Sequence, residues 1–182
     1  MRILLGTNGL ILLSSAMLAP IYAIFVEEVG GSILDAGMAA AVFALAAGIT
    51  TLLIGRFADS IRESELVVVV GYGIIAAAFL GFTFVQSVAA LLLVQILFGI
   101  GEAVYSPAFD GVYSKHIWDG NESTAWGLWE SMNYFIGAGG AALGAFVVSI
   151  FGFSDTFLQH VRAKLCKCAV HLLTSAKDSL VN

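Results

Sequence analysis

Charge is what this sequence has least of. Eight Lys and Arg and thirteen Asp and Glu make up 12% of 182 residues, about half the share that covers the surface of a soluble domain. That shortage excludes a soluble globular fold. The space is taken by apolar residues, 59% of the chain, with a mean hydropathy of +0.95. The few charges gather in short clusters between long apolar runs instead of alternating along helix faces. No basic patch is present to bind nucleic acid. The only cysteines, Cys166 and Cys168, lie near the C-terminus, so there is no disulfide framework. The net charge of −5 says little about partners, because membrane orientation depends on where Lys and Arg fall.

The long apolar runs point to a bilayer as the first partner. Crossing about 30 Å of hydrocarbon takes roughly 20 apolar helical residues. Five segments have that length: Ile3 to Val26, Ile33 to Ile54, Leu66 to Phe84, Val88 to Phe109 and Trp126 to Phe151. Each is continuously apolar, whereas barrel strands are shorter and alternate in polarity. The predicted fold is therefore an all-α integral membrane protein with five transmembrane helices. The first run is too long for a secretory signal and further spans follow it directly, so it is read as a retained helix.

Lys and Arg set the expected topology. Arg2 precedes the first span, Arg56 and Arg62 lie between the second and third, and Lys115 lies between the fourth and fifth. The opposite connections, Glu27 to Asp35 and Val85 to Ser87, contain neither residue. A multi-pass protein of the cell (inner) membrane with a cytoplasmic N-terminus is expected. The tail departs from this order, since Arg162, Lys164, Lys167 and Lys177 fall on the outer side after five spans. Its apolar positions recur at helical spacing, which predicts an amphipathic C-terminal helix lying at the interface.

The connection GRFADSIRESE, Gly55 to Glu65, places a glycine, three residues, an acid and then a basic residue at a cytoplasmic junction. It resembles the loop signature of the major facilitator superfamily, with Gly55 and Asp59 matching. Ser60 stands where that pattern has a basic residue and Arg62 where it has a second glycine. Gly55, Asp59 and Arg62 are accordingly read as a conformational loop. Gly99, Gly101 and Ala103 resemble the family's fourth-span motif, in which an arginine precedes the first glycine by four residues. Here Gln95 stands there, so the proton-coupling role of that arginine does not carry over. The run GEAVYSPAFDGVYSKHI, followed by WGLWESMNYF, resembles the fourth and fifth helices of uncharacterised bacterial members. Gly137 to Phe146 is similar to a fifth-span antiporter motif, but Ala141 and Ala145 replace its proline and a glycine, and no antiport is inferred.

The resemblance covers residues 1–154. It implies five helices of a six-helix bundle, one of two halves that rock around a central cavity to move a small solute by alternating access. Residues 155–182 are expected to be non-native tail, from a shifted frame or a truncated gene, leaving the C-terminal half missing. The alternative is a true five-span membrane interaction or assembly protein that does not transport.

The residues themselves name the candidate site. Glu102, Ser106 and Asp110, spaced i, i+4 and i+8, make one polar stripe on the fourth span. An acid inside the membrane is costly unless it faces a wet cavity or a partner. Glu102 is thus a candidate for solute binding or proton coupling, or else a structural acid bonded to a neighbouring helix. By these span limits it lies about two turns inside the cytoplasmic edge, and Asp110 is nearer that edge. Pro107 removes a backbone hydrogen bond and predicts a kink. Glu130 and Asn133 are expected to face the same way on the fifth span, at the interface or at the cavity mouth. Asn8 and Tyr22 are read as core hydrogen-bonding residues. Gly140 and Gly144 have the spacing of close helix packing, and Gly99 and Gly101 are assigned to packing with them. No enzymatic constellation is present within the spans, and no cofactor is implied. His160, Cys166, Cys168 and His171 lack the paired spacing of a zinc site.

Overall fold

The computed structural model describes residues 2–58, 64–117 and 120–151. Among these residues there are six α-helices: α1 (Arg2–Leu18), α2 (Tyr22–Glu28), α3 (Ile33–Ala58), α4 (Ser64–Phe82), α5 (Val88–Ser114) and α6 (Glu122–Phe151). A single 3₁₀ turn, Ala19–Ile21, joins α1 to α2. Five helical segments are long and apolar enough to cross a membrane, the first made of α1, the turn and α2 together.

The first span is thus not one continuous helix. Pro20 lies at the start of the 3₁₀ turn, where its missing N–H and fixed φ interrupt the α-helical ladder. Other limits shift by a few residues. The third span ends at Phe82 instead of Phe84, the fourth runs on past Phe109 to Ser114, and the fifth begins at Glu122 instead of Trp126. Hydropathy marks where a helix is apolar, whereas helix ends are set by caps.

The caps are legible in the coordinates. At the end of α2 the Gly31 amide donates to the Val26 carbonyl (2.9 Å) and the Gly30 amide to the Glu27 carbonyl (3.0 Å). This is a Schellman closure, and Gly30 takes the required left-handed φ of 82°. Two residues later Ser32 and Asp35 form a reciprocal box. Asp35 Oδ2 accepts from the Ser32 amide and hydroxyl, each at 2.7 Å, while Ser32 Oγ accepts from the Asp35 amide at 3.4 Å. Ser87 caps α5 by accepting from the Ala90 amide at 3.3 Å.

Packing follows from small residues. In lipid there is little hydrophobic gain from bringing helices together, so close backbone approach has to supply van der Waals contact. α5 packs against both α3 and α4, and α1 packs along α6. A Cβ on Gly9 would fall 3.1 Å from Ile136 Cδ1, and one on Gly140 would fall 2.6 Å from Ala16 Cβ and 3.1 Å from the Leu13 carbonyl. Rising numbers pair with rising numbers, so α1 and α6 run parallel. Gly71 meets Tyr105, Ile75 meets Gly101 and Gly81 meets Val94, so α4 and α5 run antiparallel. Both relations are what alternating spans require.

The core lies between α2, α3, α4 and α5 and includes Phe25, Ala39, Phe79, Phe82 and Leu91. The outside is as apolar as the inside: Leu52 is 75% exposed and Phe135 78%. Such a surface is stable only against hydrocarbon or other helices.

Candidate functional site

The α5 helix carries the polar stripe. Ser87 starts it, and it continues through Pro107 for 27 residues to Ser114. Pro107 cannot donate to the carbonyl of Ala103, yet the helix continues through it. The helix extends beyond Phe109, the end of the apolar run; Glu102 lies well inside it. It sits at the middle of the helix, about 18 Å from the Ser114 end at 1.5 Å per residue.

Glu102, Ser106 and Asp110 are all half-buried. They flank the face that α5 turns toward α4, where the Tyr105 ring lies tilted at 5.0 Å from that of Tyr72. Tyr105 lies within electrostatic reach of both Glu102 and Asp110. Neither carboxylate has a hydrogen-bond or ion-pair partner among the described residues. Tyr72 in turn donates its hydroxyl to Asn8 Oδ1 at 3.1 Å. Asn8 is fully buried, and its Nδ2 has no partner among the described residues. The stripe therefore adjoins a polar thread running from α5 through α4 to α1.

Glu130 and Asn133, about 60° apart around α6, differ in exposure. Glu130 is exposed, whereas Asn133 is half-buried, with a buried Oδ1 that has no partner among the described residues.

The four packing glycines serve three different helix pairs. A Cβ on Gly99 would stand 2.5 Å from the Phe43 carbonyl of α3, and one on Gly101 would stand 2.9 Å from the Ile75 amide of α4. Gly140 and Gly144 meet α1 at Leu13, Ala16 and Met17. Gly55 lies exposed near the end of α3. Asp59 and Arg62, the tail from Asp155, and with it His160, Cys166, Cys168 and His171, lie outside the described residues.

Sequence reasoning missed two arrangements. In the first, Phe109, Tyr113, Trp126 and Trp129 join α5 to α6. Phe109 lies 4.8 Å from Trp129, and Tyr113 donates its hydroxyl to the Ala125 carbonyl at 2.6 Å. Aromatic residues at helical spacing were the available signal. In the second, a cavity of about 220 Å³ opens between α1, α3, α4 and α5. Four phenylalanines line it, Phe43, Phe79, Phe82 and Phe98, together with Ser15, Tyr22 and Gln95. Gln95 is buried and donates from Nε2 to the Tyr22 hydroxyl at 2.5 Å. Its signal was an amide standing alone in an apolar run.

A comparison with curated proteins returned no match. A family model described as Major Facilitator Superfamily matches residues 4–161. Five membrane-length helices, alternating in direction and closed on small residues, agree with that match. This chain belongs to the major facilitator superfamily, whose members are membrane transporters.

Proposed function

We propose that the chain forms five spans of one half of a secondary active transporter, which moves a small solute by alternating access. Glu102 is the group that binds the solute or a coupling proton. The observation that carries this reading is the unpartnered, half-buried carboxylate at the midpoint of α5. A charge at that depth costs roughly 3 kcal/mol, and a bound cation, a proton or a wet pathway offsets it. Ser106 and Asp110 continue the stripe toward the Ser114 end, and Asn133 adds an unmatched acceptor on α6.

Further helices are part of the proposal. Gly37, Ala41, Ala44, Gly48, Thr51 and Gly55 recur on α3 at intervals of four, three, four, three and four residues, and all are exposed. Lipid alone does not require so regular a line of small side chains, whereas another helix does. The connection holding Gly55, Asp59 and Arg62 is placed on the cytoplasmic side, with the N-terminus, in the inner membrane. There it couples α3 to α4 as the bundle moves.

The test is transport in proteoliposomes, with the bundle co-reconstituted with the helices that complete it, across a panel of solutes and with imposed pH gradients. Glu102→Gln is expected to abolish uptake or efflux, or to uncouple it from the proton gradient. Transport by Glu102→Gln that matches the parent at every pH overturns the role of Glu102. A bundle that never transports but purifies with a stoichiometric membrane partner would instead fit an assembly protein.

A further inference from the structure

The 220 Å³ cavity between α1, α3, α4 and α5 shares no residue with the Glu102 stripe. We propose that it is a binding site for a small neutral aromatic alcohol, a single ring bearing one hydroxyl.

Size and lining argue for the ring. An apolar cavity of about 150 Å³ admits benzene, so this one holds a ring with a short substituent. Its walls are aromatic. Phe98 lies 5.3 Å from Phe43, 5.5 Å from Phe79 and 6.4 Å from Phe82, in tilted and edge-to-face arrangements. A further ring entering beside them finds both faces and edges to meet.

Hydrogen-bonding capacity argues for the hydroxyl. The bond from Gln95 Nε2 to Tyr22 uses one amide hydrogen and one lone pair. Gln95 Oε1, the Tyr22 hydroxyl proton and the Ser15 hydroxyl have no partner among the described residues. A ligand hydroxyl can donate to Gln95 Oε1 while accepting from Tyr22 or Ser15. A carbonyl could only accept, and an acyl chain would satisfy none of these groups. No Asp, Glu, Lys, Arg or His lines the cavity, so a charged ligand would lie there uncompensated.

The test is equilibrium binding of 4-fluorophenol, followed by fluorine NMR, to the purified chain in phosphatidylcholine nanodiscs. Fluorobenzene and protein-free discs serve as comparisons. The expected result is saturable uptake above that of empty discs. Ala40→Leu, at a residue lining the cavity, fills the space and should lower affinity for both probes at least tenfold. Gln95→Leu should lower fluorophenol affinity about tenfold and leave fluorobenzene within twofold. If Gln95→Leu does not fold, Ser15→Ala replaces it, with a smaller loss of about threefold confined to fluorophenol. Uptake equal to that of empty discs, or equal in parent and Ala40→Leu, overturns the site. So does phospholipid retained in the cavity of the parent without fluorophenol uptake. The assay needs no transport, so its outcome is separate from that of the transport reading.

Discussion

The α1–α6 seam and the middle of α5 use glycine for the same purpose but differ in what lies beside it. Along the seam, Gly9, Gly140 and Gly144 bring two parallel helices into contact with residues such as Leu13, Ala16 and Met17. Around α5, Gly99 and Gly101 bring in α3 and α4, and the next residue is Glu102. The seam is spent on adhesion, whereas α5 holds its neighbours with one stripe and keeps a polar stripe unbonded. The packing glycines and the proposed site thus stand on adjacent positions of one helix, about 100° apart around its axis.

The largest effect expected from breaking this comparison is at the seam. Gly144→Leu drives a side chain into the Met17 backbone and should cost about 3 kcal/mol or more, as overpacking does, read as lost folded protein in detergent unfolding assays. Gly48→Leu, with nothing near its Cβ position, should leave the stability of the five-span chain within about 0.5 kcal/mol. Equal losses at both positions would mean that the seam is not where the bundle closes.

A second contrast is functional. Glu102→Gln should leave unfolding of the chain unchanged or slightly harder, because a membrane-buried charge is removed without breaking a bond. A clear loss of stability would make Glu102 a structural acid and erase its difference from the seam. A small but measurable loss of stability is expected at Tyr72→Phe, which removes the bond to Asn8. Hydrogen bonds between membrane helices are worth roughly 0.6 kcal/mol on average and at most about 1.7. Orientation is checked independently by labelling single cysteines in a background lacking Cys166 and Cys168. One introduced at Ser32 should react from outside the cell, and one at Ser114 only after permeabilisation.

How much was legible in the residues depended on the range of the interaction. The five spans could be read because desolvation depends on composition averaged over about 20 residues. The closeness of Gly140 to a neighbour could be read because its spacing to Gly144 has one common use. The central position of Glu102 along α5 could not be read, because the helix continues to Ser114, past the end of the apolar run. The burial of Asn133 Oδ1 could not be read, since it depends on how α6 is packed. Nor could the pairing of Gln95 with Tyr22, which are 73 positions apart.

The sequence by itself determined that the chain spans a membrane five times as helices, because each long apolar run must satisfy its backbone internally once water is excluded. It also determined which polar residues would have to be accommodated in the spans. Only the tertiary structure decided how: Asn8 on Tyr72, Gln95 on Tyr22 beside an aromatic cavity, and Glu102 on nothing among the described residues. The physical reason is that burial of a helix is set residue by residue from its own composition. Hydrogen-bond partners, by contrast, depend on which helices cross and at what height.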